Sequence, residues 1–179
     1  MAFVKGDNYP ARLGYVRRVF GAPGKSYHRL EDTFNPDTYS MATFVDAIAP
    51  ESIAFRTMGL VQLTFSCRPE RFLRTGEQTI TTASSVILAN PTGMPARPLL
   101  RVYGTGAGTL TVGNNIISIT AINQYIDIDC EMMDCFKGST NCNADVTLAS
   151  FPEFGAGTTG VSITGGLTSV EITPRWWSL

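Results

Sequence analysis

Charged side chains are scarce in this sequence: Asp, Glu, Lys and Arg make up 16% of its 179 residues, against about a quarter in an average soluble domain. The formal net charge is −1, so no overall field attracts nucleic acid or an anionic lipid surface. No apolar run approaches the roughly 20 residues of a membrane-spanning helix, and the N-terminal residues lack the apolar stretch of a secretion signal. We therefore expect a soluble, cytosolically made protein that binds neither nucleic acid nor membrane.

Residues suited to catalysis or metal binding are also few. The single histidine, His28, has no Ser or Cys near it in the context of an activated nucleophile. Cys130, Cys135 and Cys142 lie close in sequence, but their spacing differs from the paired ligands of structural zinc sites, and Cys67 is distant. Without a secretion signal we expect four free thiols. The sequence thus predicts no catalytic residue, no cofactor and no metal, and hence no enzyme.

Hydrophobic residues (44%), 17 glycines and 10 prolines favour strands and turns, so we predict a mainly β protein. One helical signal is present, in residues 10–20, where Leu13, Val16 and Phe20 recur on one face and Gly21 follows. Residues 41–48 and 56–67 are predicted to form the next two strands, the second placing Cys67 on an apolar face.

Charge is divided unevenly along the chain. Residues 1–76 contain ten Lys or Arg and seven Asp or Glu, a charge of +3, while residues 77–179 contain four and eight, a charge of −4. The change falls at a polar junction, Arg74-Thr75-Gly76-Glu77. We therefore predict a domain boundary near residue 76.

Short strands follow one another through the second half at the spacing typical of a two-sheet antiparallel sandwich. Hairpin turns are predicted at Gly113-Asn114-Asn115 and at Gly165-Gly166, because Gly and Asn tolerate positive φ. The glycines of residues 104–108 resemble a phosphate-binding loop, but a strand follows them and not a helix. A further hairpin is the interpretation we prefer there.

Two carboxylates alternate with apolar residues near residue 128. On a strand, Asp127 and Asp129 share one face about 7 Å apart, which would suit an acid–base pair or a cation site. The same alternation is typical of a half-buried strand whose polar face meets water. Tyr125 lies on that face too, so the three residues form a candidate patch for a glycan or a protein partner.

Both tryptophans are adjacent, in the segment Arg175-Trp176-Trp177. In a strand their rings point to opposite faces, so one fills the core and the other points outward, where Trp and Arg favour interfaces. We treat these three residues as candidate core or interface anchors.

Several segments in order resemble the distal tail proteins of siphophages, the long-tailed bacteriophages with flexible tails. The resemblance covers residue 26 to the end. It rests on Leu30-Glu31-Asp32 with Pro36-Asp37 and Tyr39, residues 63–69, Asn90-Pro91 with Gly93, residues 98–104, residues 126–129, residues 138–141, Phe151-Pro152 and residues 174–177.

This resemblance implies a fold and a role. Residues 1–76 would be the C-terminal part of a ring-forming domain, an incomplete one, and residues 77–179 a galectin-like sandwich. The chain would be an oligomeric hub, commonly a hexameric ring, that joins the tail tube to baseplate or receptor-binding proteins. It would be assembled in the host cytoplasm and located at the virion's tail tip. The alternative is a carbohydrate-binding module that aids adhesion to host-surface glycans.

Overall fold

The computed structural model describes residues 2–5, 14–15, 18, 26–45, 50–51, 58–61 and 63–179. These residues form mainly antiparallel strands, which confirms the predicted fold class. The chain divides into two compact units, Met1–Arg71 and Phe72–Leu179. In the described ranges, no helix is long and apolar enough to cross a membrane.

The described strands of the first unit form two groups. The strands are β1 (Ala2–Lys5), β2 (His28–Leu30), β3 (Thr38–Phe44), β4 (Pro50–Glu51), β5 (Met58–Val61) and β6 (Phe65–Leu73), the last of which runs past the boundary between the units. β5 lies between β1 and β4, and β3 lies between β2 and β6.

The structure tests three sequence predictions for this unit: a helix, a strand and the position of Cys67. Most of the predicted helix at 10–20 lies outside the described residues; Gly14, Tyr15 and Arg18 are helical. The single strand predicted at 56–67 is wrong, because β5 and β6 are separate strands of different sheets. A continuous alternation of apolar and polar residues does not show where the chain leaves one sheet and enters another. Cys67, expected on an apolar face, is exposed.

The second unit contains the remaining strands and two 3₁₀ turns. They are β7 (Ile80–Thr82), β8 (Ser85–Asn90), β9 (Leu99–Val112), β10 (Asn115–Ile119), β11 (Asn123–Asp129), β12 (Asp134–Lys137), β13 (Thr140–Asn141), β14 (Val146–Leu148), β15 (Gly157–Thr173) and β16 (Trp177–Ser178), with 3₁₀ turns at Arg74–Glu77 and Asn143–Asp145.

Two long strands, β9 and β15, organise this unit. They pair with each other along most of their length, and each changes its other neighbour midway. The first half of β9 pairs with β11 and the second half with β10, while β15 pairs first with β8 and then with β7. The inward side chains of both halves form one hydrophobic core, so the unit is a two-layer sandwich. Core residues include Leu100, Val102, Leu110, Ile117, Ile126, Ile128, Val161, Phe154, Val170 and Ile172.

Glycines lie where β9 and β15 change layer, and we call Gly104, Gly108, Gly165 and Gly166 the glycine corner. The hairpins predicted at 104–108 and at Gly165-Gly166 are wrong, because both segments continue inside strands, with register shifts after Gly165. A Cβ on Gly104 would lie 2.4 Å from the Gly166 carbonyl oxygen. These glycines permit close backbone approach and a bend, which composition alone does not distinguish from a turn.

The turn between β9 and β10 agrees with the prediction. Gly113 adopts φ +57° and, with Asn114, links the two strands, while Asn115 already belongs to β10. Positive φ at this position explains the glycine.

The two units meet in sequence at Arg71 and Phe72, earlier than the boundary predicted near residue 76. The reason lies in contacts of residues 73–76 within the second unit. Leu73 N–H donates to Trp176 O (2.9 Å), and Arg175 N–H donates to Gly76 O (2.8 Å). A Cβ on Gly76 would lie 2.2 Å from Trp176 N, so this buried glycine provides close packing and not a flexible linker.

Candidate functional site

The outward face of one layer carries polar and aromatic side chains from three neighbouring strands, β15, β9 and β11. Arg101 is opposite Asp127 and Glu171, and Tyr103 is opposite Tyr125. These five residues alternate with core residues along their strands, so they share one face. We call them the tyrosine–arginine face.

Arg101 links this face together. Its Nε and Nη2 donate to the two carboxylate oxygens of Asp127 at 2.6 and 3.0 Å, and Asp127 is only 3% exposed. The guanidinium also lies 4.8 Å from the centroid of the Tyr125 ring. Hydrogen bonding to Asp127 raises the pKa of Arg101 above its usual value. A bidentate, charge-assisted pair of this kind fixes both side chains in position.

The two tyrosines extend the same network. Their ring centroids are 6.1 Å apart, and Tyr103 Oη donates to Glu171 (3.1 Å). Lys137 Nζ lies 5.4 Å from the Tyr125 ring and donates to a main-chain carbonyl of β11. The Tyr125 ring therefore contacts Arg101, Lys137 and Tyr103, which leaves less of it available for stacking on a sugar.

Asp129 belongs to a second cluster, which we call the C-terminal clamp: Gly76, Asp129, Arg175 and Trp176. Arg175 Nη1 and Nη2 donate to the Asp129 oxygens at 2.7 and 2.8 Å. The N–H groups of Glu131 and Met132 donate to the same carboxylate, at 3.0 and 3.1 Å. Arg175 has φ +59°, a left-handed backbone that its ion pair and its hydrogen bond to Gly76 stabilise.

The two tryptophans occupy different environments. Trp176 is 5% exposed and packs on Phe154, with ring centroids 5.5 Å apart. Trp177 is half-buried, packs against the core, and donates its Nε1 proton to Pro95 O (2.9 Å). Both rings therefore stabilise the second unit, and Trp177 keeps part of its surface in solvent.

The sequence grouped Tyr125, Asp127 and Asp129 as one patch, and in the structure these residues alternate with core residues along β11 while the two carboxylates bind different arginines. Arg101 bridges Tyr125 and Asp127, while Asp129 pairs with Arg175. The sequence analysis missed the role of Arg101 and Glu171. The sequence did indicate that these two side chains point outward, because Arg101 lies between the core residues Leu100 and Val102, and Glu171 precedes the core residue Ile172.

The histidine and the cysteines were also considered from the sequence. His28 lies on β2, is exposed, and its Nε2 is 2.9 Å from Ser26 Oγ. All four cysteines are free thiols, and within the described residues no group of three or more His, Cys, Asp or Glu is arranged to hold a metal ion.

A pH dependence follows from the clamp. Burial opposes ionisation of Asp129, but the hydrogen bonds from Arg175 and from the N–H groups of Met132 and Glu131 outweigh it, so its pKa lies below the ordinary 3.8. The folded pKa is depressed, so this stabilisation is complete above the unfolded pKa and is lost as pH falls through the folded pKa.

We therefore expect the free energy of unfolding of the second unit to decline as pH falls below about 4, and to decline less in Asp129→Asn. Tryptophan fluorescence during urea unfolding reports on this unit alone, because both tryptophans lie in it. Equal pH slopes in the wild type and the variant would contradict this expectation.

Comparisons with known proteins give one kind of match. No family model matches the sequence, and neither does any curated protein. Among solved structures, the crystal structure of SPP1 Dit (gp 19.1), described as a paradigm of the hub adsorption apparatus in phages infecting Gram-positive bacteria, matches with a TM-score of 0.70 and 12% identity. The match covers 99% of this chain and 76% of that chain. At this identity the likeness shows the fold, and it agrees with the resemblance found in the sequence motifs.

Proposed function

We propose that the chain is a distal tail protein of a bacteriophage or prophage, a structural component of the tail tip. Copies of it would form a ring that joins the tail tube to baseplate or receptor-binding proteins. The observation that carries the proposal is the extent of the structural match, because 99% of the chain, and so both of its units, shares the fold of a hub protein. The proposed location is the virion, after assembly in the host cytoplasm.

The chemistry of the second unit supports a structural role. Asp127 and Asp129 are buried, and each has both oxygens bound by an arginine. Because both oxygens of each carboxylate accept hydrogen bonds from an arginine, neither Asp127 nor Asp129 is presented to a substrate for acid–base catalysis. The arrangement instead fixes strands and the chain end in place, as a rigid assembly component requires.

An exposed aromatic side chain in the first unit supports self-association. Phe34 is 93% exposed, in a turn where Asp32 Oδ1 accepts the N–H groups of Phe34 and Asn35 at 2.8 and 2.7 Å. An ordered turn that presents a bare aromatic ring is suited to burial against another chain. Repeated around an axis, such a contact closes a ring when the rotation between neighbouring copies returns to the first copy.

Sedimentation velocity over a concentration series tests the proposal. We expect an oligomer, a hexamer by the family resemblance, and expect Phe34→Ser to weaken it at least tenfold. The matched control is Ile87→Ser, which changes another exposed apolar residue (75%), in the second unit, and should sediment like the wild type. A natural chain that is monomeric at every concentration would count against the proposal.

The carbohydrate-binding alternative draws less support from the geometry. The Tyr125 ring is contacted by two cations and a second ring, and the Asp127 carboxylate is occupied by Arg101. A glycan array on which the wild type binds a sugar and Tyr125→Ala does not would favour the alternative.

A further inference from the structure

Three thiols that the proposed function does not use converge at one end of the sandwich. Cys130 follows β11, Cys135 lies on β12, and Cys142 follows β13. Cys130 and Cys135 are 1% exposed core residues, and Cys142 is partly buried and packs against the same core. Their side chains therefore lie on the same side of the sheet.

Cys135 and Cys142 are placed opposite each other by the hairpin that joins β12 to β13. The register pairs Phe136 with Asn141 and Lys137 with Thr140, so the next two residues outward are Cys135 and Cys142. Cys142 N–H donates to Cys135 O at 2.8 Å, which shows that the antiparallel pairing continues to this position.

Directly opposed residues of an antiparallel pair have Cα atoms about 4.5–5.5 Å apart, which lies inside the range that a disulfide spans, and here one of the two hydrogen bonds of a regular pair is made. Neighbouring contacts hold the pair in place. Asn143 Oδ1 accepts the Cys135 N–H (2.8 Å), and Asn143 Nδ2 donates to Asp134 (2.7 Å). The Cβ atoms of opposed residues are about 4.5–5.5 Å apart and those of a disulfide about 3.8 Å. Bridging the two sulfurs therefore requires Cys142 Sγ to leave the Thr140 carbonyl that it contacts (3.6 Å) and the two Cβ atoms to approach by about 1 Å, with no change of register.

The third thiol, that of Cys130, is not directly opposite either of the other two. β11 pairs with β12 through Ile128–Cys135 and Asp129–Asp134, and Cys130 lies beyond the last pair. Its N–H donates to Pro98 O instead of to β12. Cys130 is thus diagonal to Cys135, and the opposed pair is Cys135 with Cys142.

We propose that Cys135 and Cys142 form a reversible disulfide that closes the hairpin when the protein meets a small-molecule disulfide such as oxidised glutathione. The reducing cytosol would keep both thiols free, and an oxidising exterior would close the bond. The inference does not depend on the proposed function.

The reaction is thiol–disulfide exchange in two steps. The Cys142 thiolate, the more accessible of the two, attacks one sulfur of oxidised glutathione and releases one glutathione. The Cys135 thiolate then attacks Cys142 Sγ and releases the second glutathione. Two protein thiols lose two protons and two electrons, and one small disulfide is reduced to two thiols. Burial raises the pKa of Cys135 to about 11, so ring closure is expected to be slow at neutral pH.

The test uses the full chain carrying Cys67→Ser, which removes the exposed thiol that would otherwise form adducts. After incubation with excess oxidised glutathione, alkylation and intact-mass measurement should show the loss of two thiols without an attached glutathione. Peptide mapping should place the cross-link between Cys135 and Cys142. The oxidised form should unfold about 5 °C or more higher, and a reductant should reverse the shift.

Two further variants make the assignment specific. Adding Cys130→Ser should leave the cross-link and the thermal shift intact, whereas adding Cys142→Ser should abolish both. A cross-link between Cys130 and Cys135, stable glutathione adducts without ring closure, or three unreacted thiols would each overturn the proposal. Mapping of the protein with all three thiols decides the question even where a variant fails to fold.

Discussion

Replacing Gly104 by alanine is expected to destabilise the second unit by about 3 kcal/mol or more, near the top of the range for overpacking. The added Cβ would lie 2.4 Å from the Gly166 carbonyl oxygen and 2.9 Å from Leu167 Cα. Both atoms are main chain in β15, so relief requires a shift of the strand where the two layers join. The effect should appear as a lower urea midpoint followed by tryptophan fluorescence.

A matched control is available in the same pair of layers. Gly160 lies in β15, has no atom within 4 Å of an added Cβ, and like Gly104 does not have positive φ. Gly160→Ala should therefore leave stability unchanged or raise it by up to about 1 kcal/mol. If Gly104→Ala and Gly160→Ala unfolded at the same midpoint, the close approach at the glycine corner would be refuted.

The second large effect is expected at the C-terminal clamp, where Asp129→Ala should cost about 3 kcal/mol. The substitution leaves the Arg175 guanidinium, whose side chain is 27% exposed, without its bidentate partner. It also removes the acceptor of the Glu131 and Met132 N–H groups. Partial exposure of Arg175 places the expected cost at the lower end for buried pairs.

The variant Glu153→Ala serves as the control, because it breaks an ion pair of similar length that is exposed and not buried. Glu153 pairs with Arg97 at 2.7 Å, but the two side chains are 43% and 52% exposed, so we expect about 0.5 kcal/mol or less. In addition, Asp129→Ala combined with Arg175→Ala should cost less than the sum of the two single changes. If Asp129→Ala and Glu153→Ala lowered the free energy of unfolding by similar amounts, the ion pair of Asp129 with Arg175 would contribute no more than a surface ion pair.

Alternation of apolar and polar residues predicted much of the second unit. Leu100 and Val102 point inward while Arg101 and Tyr103 point outward, and the same period places Ile126 and Ile128 in the core. The presence of a strand can be predicted from this pattern, because the pattern depends only on residues that are close in sequence. The predicted fold class was correct for that reason.

Partners distant in sequence could not be predicted in this way. Gly104 and Gly166 lie in glycine-rich segments of the kind that usually form turns. Only the contact between the two segments shows that both lie within strands. Gly76 similarly has the sequence context of a linker, yet it packs against the backbone of Trp176, a hundred residues later in the chain. The arginine partner of Asp127 depends on pairing across strands, and that of Asp129 lies in the segment between β15 and β16.

We propose that this chain forms a hub at the tip of a phage tail, and immunogold electron microscopy of particles containing it tests that proposal most directly. With antibodies against the folded chain, the account predicts label confined to the end of the tail farthest from the capsid. Label along the tail tube, on the capsid, or only on material free of particles would contradict it.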